Sequence, residues 1–457
     1  MSDDRLTRLK TGAFERRFSI AKASLVAGSR MAASAAGSLF AAPEDRASTR
    51  RKALGEQAEY LVGELGKLKG SVVKIGQMMA LYGEHFLPPE ITTALHKLND
   101  STTALEWSSL EPLVRAQLGS RFNELDINPE PLGAASLAQV HRARRRSDGA
   151  EMVLKIQYPG VAEAIDSDLN LVTQMLRLTR AVPQTREFDE WLEEVRMMMH
   201  REVNYPLEAE TTRLFREFLK DDPRFVVPKI FPEYCGDHLL VMSFEHGVPV
   251  NSDAVLSLPA ARKNALAIAA LEICCQEVFQ WGQIQTDPNF GNYLVQISVD
   301  ANAQPDRIVL LDFGAVRDFP ADILDLARGM TRAAFHADRD AMKAAMKGYR
   351  FFDGMKLGTL EGFIDLAFLA FEPFAESSKV PRELLNAEGA YCWAKSKLHV
   401  RATSAAARSA ATRHFTVPPK EFMFLSRKLM GAYTFMTVMD AEVKARDLLS
   451  KYVMSGS

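Results

Sequence analysis

The chain has 457 residues, of which 47% are hydrophobic and 25% charged, a composition typical of a globular protein with two or three domains. Its net charge of −2 provides no overall field for a polyanion, so we expect no nucleic-acid partner. The four cysteines lack the spacing of a zinc site, which predicts free thiols in a reducing compartment such as the cytoplasm.

Residues 1–50 are predicted to form a basic arm rich in Ala and Ser. Residues 1–42 contain seven Lys and Arg interleaved with apolar residues. Such a segment can lie on an anionic membrane surface, pack or fray as a helical extension, or act as an organelle presequence, although Asp3 and Asp4 disfavour the presequence. No apolar run reaches the ~20 residues of a membrane-spanning helix. We therefore expect peripheral membrane contact and no spanning segment.

Residues 51–130 are predicted to form a helical extension that ends irregularly near Pro129. Apolar residues recur at alternating steps of four and three, which predicts one long helix with a single apolar stripe. Lys74 and Gln77 share a face of this helix, and Gly76 allows close backbone approach there. The alternative is a solvated Lys and Gln on a helix surface. The stripe comprises Leu54, Ala58, Leu61, Leu65, Leu68, Val72, Ile75 and Met79.

Residues 131–244 are predicted to form a small β-rich lobe of about five strands, two of them at 225–227 and 239–242. A strand at 152–157 carries Lys155, whose side chain can reach phosphate oxygens. Because an unpaired ammonium is costly in a central strand, we expect a carboxylate partner for it. The candidates are Glu202, Glu208 and Glu210.

A loop of small residues precedes this strand. Small side chains let backbone N–H groups approach phosphates, so we interpret the loop as part of a nucleotide site. Gly-x-Gly-x-x-Gly is absent from it. The predicted nucleotide contacts of the loop are Gly133, Ala134, Ala135 and Ser136.

After a hinge at 244–247, residues 245–457 are predicted to form a mostly helical second lobe that carries a phosphoryl-transfer site. Asp287 and Asn292 have the Asp-x-x-x-x-Asn spacing of a kinase catalytic loop, and Asp312 begins an Asp-Phe-Gly. In that template the first Asp orients the nucleophile. The Asn and the later Asp hold Mg²⁺ beside the nucleotide. Asp-Phe-Gly alone is a common turn tripeptide, so the prediction depends on the ordered set.

The site lacks two features of protein kinases. No Ala-Pro-Glu and no long activation segment follow Gly314, and no Arg precedes Asp287. The usual platform for a peptide substrate is therefore missing. A small-molecule phosphotransferase of the antibiotic-kinase type is a rival interpretation, and a nucleotide-dependent scaffold with negligible turnover is another.

Taken together, these motifs resemble those of the ABC1/ADCK/UbiB family of atypical kinases, in particular its coenzyme Q branch. The departures are Gly133, where the family usually has Ala, and Asn204, where it usually has Asp. The paired C-terminal membrane helices of the UbiB branch are also missing. The likeness rests on Lys74-x-Gly-Gln77, Gly133 to Val140, Leu154 to Val161, Glu202 to Ala209, and the acidic motifs above.

The resemblance implies an α+β, protein-kinase-like fold of two lobes with an N-terminal helical extension, binding ATP or ADP with Mg²⁺. It makes Glu202 the ion-pair partner of Lys155, and it places Lys74 and Gln77 over the cleft, where they obstruct peptide substrates. It further implies a role in ubiquinone biosynthesis, with an isoprenoid or quinone-precursor lipid and other biosynthetic proteins as partners and a homodimer left open. The expected location is peripheral on the inner membrane, mitochondrial in a eukaryote.

Overall fold

The computed structural model describes residues 46–66, 70–83, 87–98, 104–178, 182, 184–301, 304–410 and 419–454. Most of the basic arm, residues 1–45, lies outside this range. The chain divides into two units, one made of Met1–Glu210 with Lys229–Phe244 and the other of Thr211–Pro228 with Glu245–Ser457. The four-part domain division stays a prediction.

The described part of the chain contains sixteen α-helices and twelve strands. The helices are α1 (Arg46–Gly66), α2 (Ser71–Tyr82), α3 (Pro89–His96), α4 (Trp107–Leu118), α5 (Val161–Leu178), α6 (Arg186–Glu202), α7 (Tyr205–Phe218), α8 (Asp253–Leu256), α9 (Ala260–Gln276), α10 (Ala321–His336), α11 (Arg339–Lys347), α12 (Leu357–Ala370), α13 (Trp393–Ser396), α14 (Leu398–Ala410), α15 (Lys420–Val438) and α16 (Ala445–Val453). The strands are β1 (Leu125–Ala134), β2 (Ala138–Arg145), β3 (Glu151–Gln157), β4 (Phe225–Val226), β5 (Leu239–Ser243), β6 (Val248–Pro249), β7 (Gln283–Gln285), β8 (Tyr293–Gln296), β9 (Arg307–Leu310), β10 (Val316–Asp318), β11 (Tyr391–Cys392) and β12 (Glu442–Val443).

The long helix predicted for 54–79 is wrong, because the chain forms two helices, α1 and α2. Gly70 between them has a φ of 61°, which no α-helix can continue. The apolar stripe itself is confirmed where its members are described. Ala58, Leu65, Val72, Ile75 and Met79 are all buried.

The first unit contains an antiparallel sheet in the order β1-β2-β3-β5. Its central strand β3 pairs with β2 and β5 and carries Lys155 opposite Val140 and Leu240. The predicted helical stretch to Pro129 is wrong at its end, since β1 begins at Leu125. A short 3₁₀ segment, Gly119–Glu124, ends the helical part instead.

The sheet of the first unit has four strands where the sequence predicted about five. The strand at Phe225–Val226 pairs in parallel with β9 in a sheet of the second unit, ordered β4-β9-β8-β6. Phe225 and Val227 are buried in the core of that unit. The pairing with β9 places this strand in the second sheet, and the burial of its side chains is consistent with that place.

The second unit is mainly helical, as predicted, and its core is aromatic. Trp393 and Tyr433 are fully buried with ring centroids 4.9 Å apart. Tyr433 belongs to α15, which packs along α9 and against β7. Helix α9 continues into a π-helical turn, Glu277–Trp281, directly before β7. Among the described helices, none has the length and apolar character to cross a membrane.

Candidate active site

The predicted phosphate-binding loop is the tip of the β1–β2 hairpin. Gly133 and Ala134 are the last residues of β1, and Ala135 and Ser136 lie in the turn, where the Ala135 N–H donates to the Ala138 carbonyl at 2.7 Å. A Cβ added at Gly133 would meet nothing within 4 Å. The Ala that is usual in the resembled family therefore fits here as well.

The side-chain partner of Lys155 is Glu208. Its Nζ lies 2.7 Å from Oε1 and 2.9 Å from Oε2 of that carboxylate, and the Glu208 side chain is 2% exposed. The expectation that Glu202 would hold Lys155 is wrong. On the residues alone Glu208 is one of three candidate partners of Lys155, whereas the resemblance to the family selects Glu202.

The break between α6 and α7 explains this pairing. Helix α6 ends at Glu202, and α7 begins at Tyr205. Tyr205 and Ala209 of α7 pack in one cluster with side chains of the sheet, which brings the first turn of α7 beside Lys155. The Asn204 Oδ1 accepts the Leu207 N–H at 3.1 Å and caps this helix. Asn204 thereby fixes the turn that presents Glu208.

Glu202 pairs with Lys74 instead. The Lys74 Nζ lies 2.6 Å from the Glu202 Oε1, so the residue at the end of α6 holds the lysine of α2. Gln77, on the same helix, donates from Nε2 to the Leu98 carbonyl at 3.0 Å. A Cβ at Gly76 would lie 2.3 Å from the Leu98 Cδ1, which confirms the close approach expected at this glycine. Lys74 and Gln77 therefore both have partners within the first unit.

In the second unit, residues 285–292 form what we call the catalytic loop, and it contains the predicted Asp287 and Asn292. The Asn292 Nδ2 donates to the Asp287 Oδ2 at 3.1 Å. The Asp287 Oδ1 lies 3.4 Å from Nη2 of Arg427, on α15. The two oxygens of the Asp287 carboxylate thus contact different groups.

Gln285, the first residue of the catalytic loop, joins this loop to the Asp-Phe-Gly segment. Its Nε2 donates to the Asp312 carbonyl at 2.6 Å, and its Oε1 accepts the Asp287 N–H at 3.1 Å. The Leu311 N–H donates to the Asn292 carbonyl at 3.0 Å. These bonds bring Asp287, Asn292 and Asp312 to one place.

Phe313 anchors the Asp-Phe-Gly segment in the core. It is 3% exposed, and its ring centroid lies 5.0 Å from that of Phe215. Full burial of a Phe side chain contributes about 1.5–3 kcal/mol. The Asp312 Oδ1 accepts the Gly314 N–H at 2.9 Å, which orients the carboxylate.

The donor set fits Mg²⁺. Asn292 turns its amino group to Asp287, so its amide oxygen is the atom for a metal, and Asp312 supplies a carboxylate. Within the described ranges, no three His, Cys, Asp or Glu side chains are grouped as a metal site. Beside a nucleotide, Mg²⁺ usually takes one or two carboxylates together with phosphate oxygens and water. Two protein ligands are therefore sufficient here.

A buried ion pair joins helix α15 to the turn that precedes β7 and the catalytic loop. Lys428 Nζ is 2.7 Å from Glu277 Oε2, and both side chains are buried. Burial raises the pKa of Glu277 to about 7, although Lys428 opposes the shift. Desolvation alone would lower the pKa of Lys428, but the nearby Glu277 carboxylate holds it above its ordinary value.

Sequence reasoning missed Gln285, Arg427 and Lys428. Gln285 lies two residues before Asp287, and this short separation is a signal from which a contact with the loop could be expected. Arg427 is 140 residues from Asp287, and a lone Arg-Lys pair on a helix carries no signal of such a contact.

The chain is similar to known proteins of one family. A family model described as an ABC1 atypical kinase-like domain matches residues 97–346, more than half of the chain. The mitochondrial atypical kinase COQ8B of Danio rerio is 30% identical over 395 residues, which cover 86% of this chain and 60% of that protein. The mitochondrial atypical kinase COQ8 of Saccharomyces cerevisiae is 31% identical over 360 residues, covering 77% of this chain and 69% of that one.

Among solved structures, a Mycobacterium tuberculosis protein, Rv3197, determined as a complex with erythromycin, has a similar fold. The TM-score is 0.56 at 21% sequence identity, with 89% of this chain and 98% of that one covered. This similarity and the family match identify the fold as kinase-like, with mixed α and β structure. The expected fold class is thereby confirmed.

Proposed function

Because the chain belongs to the ABC1 atypical kinase-like family, we propose that it binds ATP and hydrolyses it or transfers its terminal phosphoryl group. The chain spans only 60% of the length of the Danio rerio relative, so this activity is proposed from the residues of the chain itself. The observation that carries the proposal is a set of hydrogen bonds: Gln285 joins Asp312 to Asp287, and Asn292 donates to Asp287.

The roles follow from the chemistry of phosphoryl transfer, which depends on positioning and charge stabilisation. Asp287 accepts the hydrogen bond of the attacking hydroxyl or water and so orients it. Asn292 and Asp312 would hold Mg²⁺, which would supply charge neutralisation beside the phosphates. Asn292 is hydrogen-bonded to Asp287, and the Asp312 carboxylate accepts the Gly314 N–H. These bonds hold the side chains in place, so little reorganisation is needed for phosphoryl transfer.

In the first unit, Lys155 is the proposed ligand of the nucleotide phosphates. Glu208 holds its ammonium on the central strand, in the manner of the Lys–Glu ion pair of protein kinases. The N–H groups near Ala135 and Ser136 are the proposed backbone contacts to the phosphates. Lys74 and Gln77 remain the proposed residues that restrict access of peptide substrates.

The biological context is also a proposal. The relatives named above are mitochondrial atypical kinases of the COQ8 type, and the family resemblance implies support of ubiquinone biosynthesis. We propose the same role here, with a quinone-precursor or isoprenoid lipid as a ligand and with other biosynthetic proteins as partners. Peripheral contact with the inner membrane through the basic arm, residues 1–42, would bring the protein to that lipid.

The proposal is tested by the ATPase activity of the purified full chain. We expect Mg²⁺-dependent hydrolysis that increases with anionic liposomes and a soluble quinone-precursor mimic. Asp325→Asn, which changes an exposed carboxylate of the same unit, serves as the matched control for Asp312→Asn. Absence of both hydrolysis and autophosphorylation under all these conditions would contradict the proposal.

A further inference from the structure

Helix α15 lies outside the residues that the family model matches, yet it contacts the catalytic loop and the turn before it. It begins after Pro419, and its Tyr433 and Met436 are fully buried in the core of the second unit. The helix is therefore held in the core independently of its contacts with the loop. Three of its residues, Arg427, Lys428 and Gly431, make those contacts.

Lys428 fixes α15 to the element that precedes the loop. Its ammonium and the Glu277 carboxylate form a buried ion pair, with side chains 8% and 1% exposed. Glu277 begins the π-helical turn that leads directly into β7 and the catalytic loop. Because a buried charge requires its partner, this pair sets the position of α15 relative to the start of the loop.

Gly431 provides the second contact, directly beside Asp287. A Cβ added at Gly431 would lie 2.0 Å from Cβ of Pro288 and 3.4 Å from its Cα, so the loop rests on the backbone of the helix. Only a glycine allows such an approach. The loop is therefore packed against α15 at the residue that follows Asp287.

Arg427 provides the third contact. It lies four residues before Gly431 and so on the same face of α15. Its Nη2 is 3.4 Å from Oδ1 of Asp287, whose Oδ2 accepts the Asn292 amide. The loop itself, from Asp287 to Asn292, contains no Lys or Arg. Arg427 of α15 therefore brings a cation from outside the loop into contact with this carboxylate.

We propose that Arg427 is a positioning residue for Asp287, and that α15 thereby forms part of the active site. The guanidinium holds one carboxylate oxygen and Asn292 holds the other, which fixes the rotamer of Asp287 toward the nucleophile. A pair this exposed, with side chains 21% and 35% exposed, is ordinarily weak. Here the packing at Gly431 and the pair at Lys428 hold both partners in place. The inference deepens the proposed function and rests on it.

The test compares Arg427→Gln and Arg427→Lys with the control Arg339→Gln, an exposed arginine of the same unit that pairs with Glu361 and Asp365. Hydrogen–deuterium exchange of residues 284–293 measures the order of the loop without any nucleotide. Steady-state kinetics separates kcat from KM for ATP, and a thermal-shift titration measures binding of Mg-ATP.

For Arg427→Gln we expect exchange in the loop to become about tenfold faster and kcat to fall by about tenfold or more, with KM and the thermal shift within about twofold. Arg427→Lys should recover most of both, because it keeps the charge. Loop exchange equal to that of Arg339→Gln would overturn the inference, as would unchanged kcat in an active enzyme. If the wild-type chain shows neither ATP hydrolysis nor autophosphorylation, the proposed function fails, and exchange alone decides the inference.

A second variant tests the contact from the backbone side. Gly431→Ala places a methyl group against Pro288 and leaves the arginine intact, so we expect faster exchange in the same loop. Its matched control is Gly358→Ala on α12, where an added Cβ meets nothing within 4 Å. Equal loop exchange in the two alanine variants would contradict the role of α15.

Discussion

Lys155 on the central strand of the first sheet and Glu208 in the first turn of α7 form an ion pair with two contacts, 2.7 and 2.9 Å long. The Glu208 side chain is buried, whereas the Lys155 side chain is 20% exposed. The buried carboxylate orients the lysine on the central strand, and part of the lysine side chain is accessible to solvent. That arrangement suits a residue whose ligand is a phosphate.

Glu208→Gln should weaken nucleotide binding and lower stability, because it removes the charge that holds Lys155. We expect a loss of about tenfold or more in ATP affinity and about 1–3 kcal/mol in the free energy of unfolding. Fluorescent-nucleotide titration and urea denaturation measure the two effects.

The matched control is Glu210→Gln, two residues further along the same helix and exposed. It should leave both quantities close to those of the wild type. A larger loss of affinity in Glu202→Gln than in Glu208→Gln would show that the pairing with Lys155 differs from the one described here.

Asp312→Asn should abolish Mg²⁺-dependent nucleotide binding, since it removes the anionic ligand of the proposed metal site. The change keeps the size of the side chain, and the loop bonds of Gln285 use the backbone carbonyl, so the fold should persist. Thermal-shift titration with Mg-ATP decides the matter. A variant that keeps the wild-type shift would remove Asp312 from the metal site.

The second-lobe site could be predicted because its residues are close in sequence. Asp287 and Asn292 share one loop, and their spacing matches the Asp-x-x-x-x-Asn of a kinase catalytic loop. The contact with Arg427 could not be predicted, because it depends on how α15 packs against β7, and no local pattern records that packing.

The error at Glu202 has a different cause. Glu202 and Glu208 are six residues apart, and either could lie beside Lys155 on β3. Which of them pairs with Lys155 depends on where the first helix ends. In the structure α6 ends at Glu202, and Asn204 caps the next helix. Because the break between the two helices follows Glu202, Glu208 pairs with Lys155, and Glu202 pairs with Lys74.

Lys74→Ala should leave the fold intact and alter nucleotide turnover, self-phosphorylation and the preference for ADP over ATP. Its pair with Glu202 is about a quarter to a third exposed, so its loss should cost less than about 1 kcal/mol. The exposed Lys97, paired with Glu59, gives the control Lys97→Ala. If the two variants behave alike in nucleotide affinity, hydrolysis and autophosphorylation, Lys74 is an ordinary surface residue of α2 with no part in nucleotide turnover.

The pair Glu277–Lys428 predicts an asymmetry between its two single variants. Glu277→Gln leaves a buried ammonium without its carboxylate and should cost about 3–5 kcal/mol in the free energy of unfolding. Lys428→Met leaves a carboxyl group whose pKa is already raised by burial to about 7, so this group can take up a proton instead. Removing the lysine should raise that pKa further.

The sign of the pH dependence follows from this. A carboxyl group with a folded-state pKa above its unfolded value stabilises the fold at low pH, and that contribution is lost as pH rises from about 4.5 through the folded-state pKa. We therefore expect Lys428→Met to be less stable at pH 8 than at pH 6, with a smaller change in the wild type. Urea denaturation at the two pH values measures this.

The double variant Glu277→Gln/Lys428→Met completes the experiment. Because it removes both charges, it should recover most of the stability lost in Glu277→Gln, as buried ion pairs replaced by uncharged groups often do. Additive losses in the double variant would mean that the two side chains do not interact in solution. Equal stability of Lys428→Met at pH 6 and pH 8 would mean that Glu277 does not take up a proton when its partner is removed.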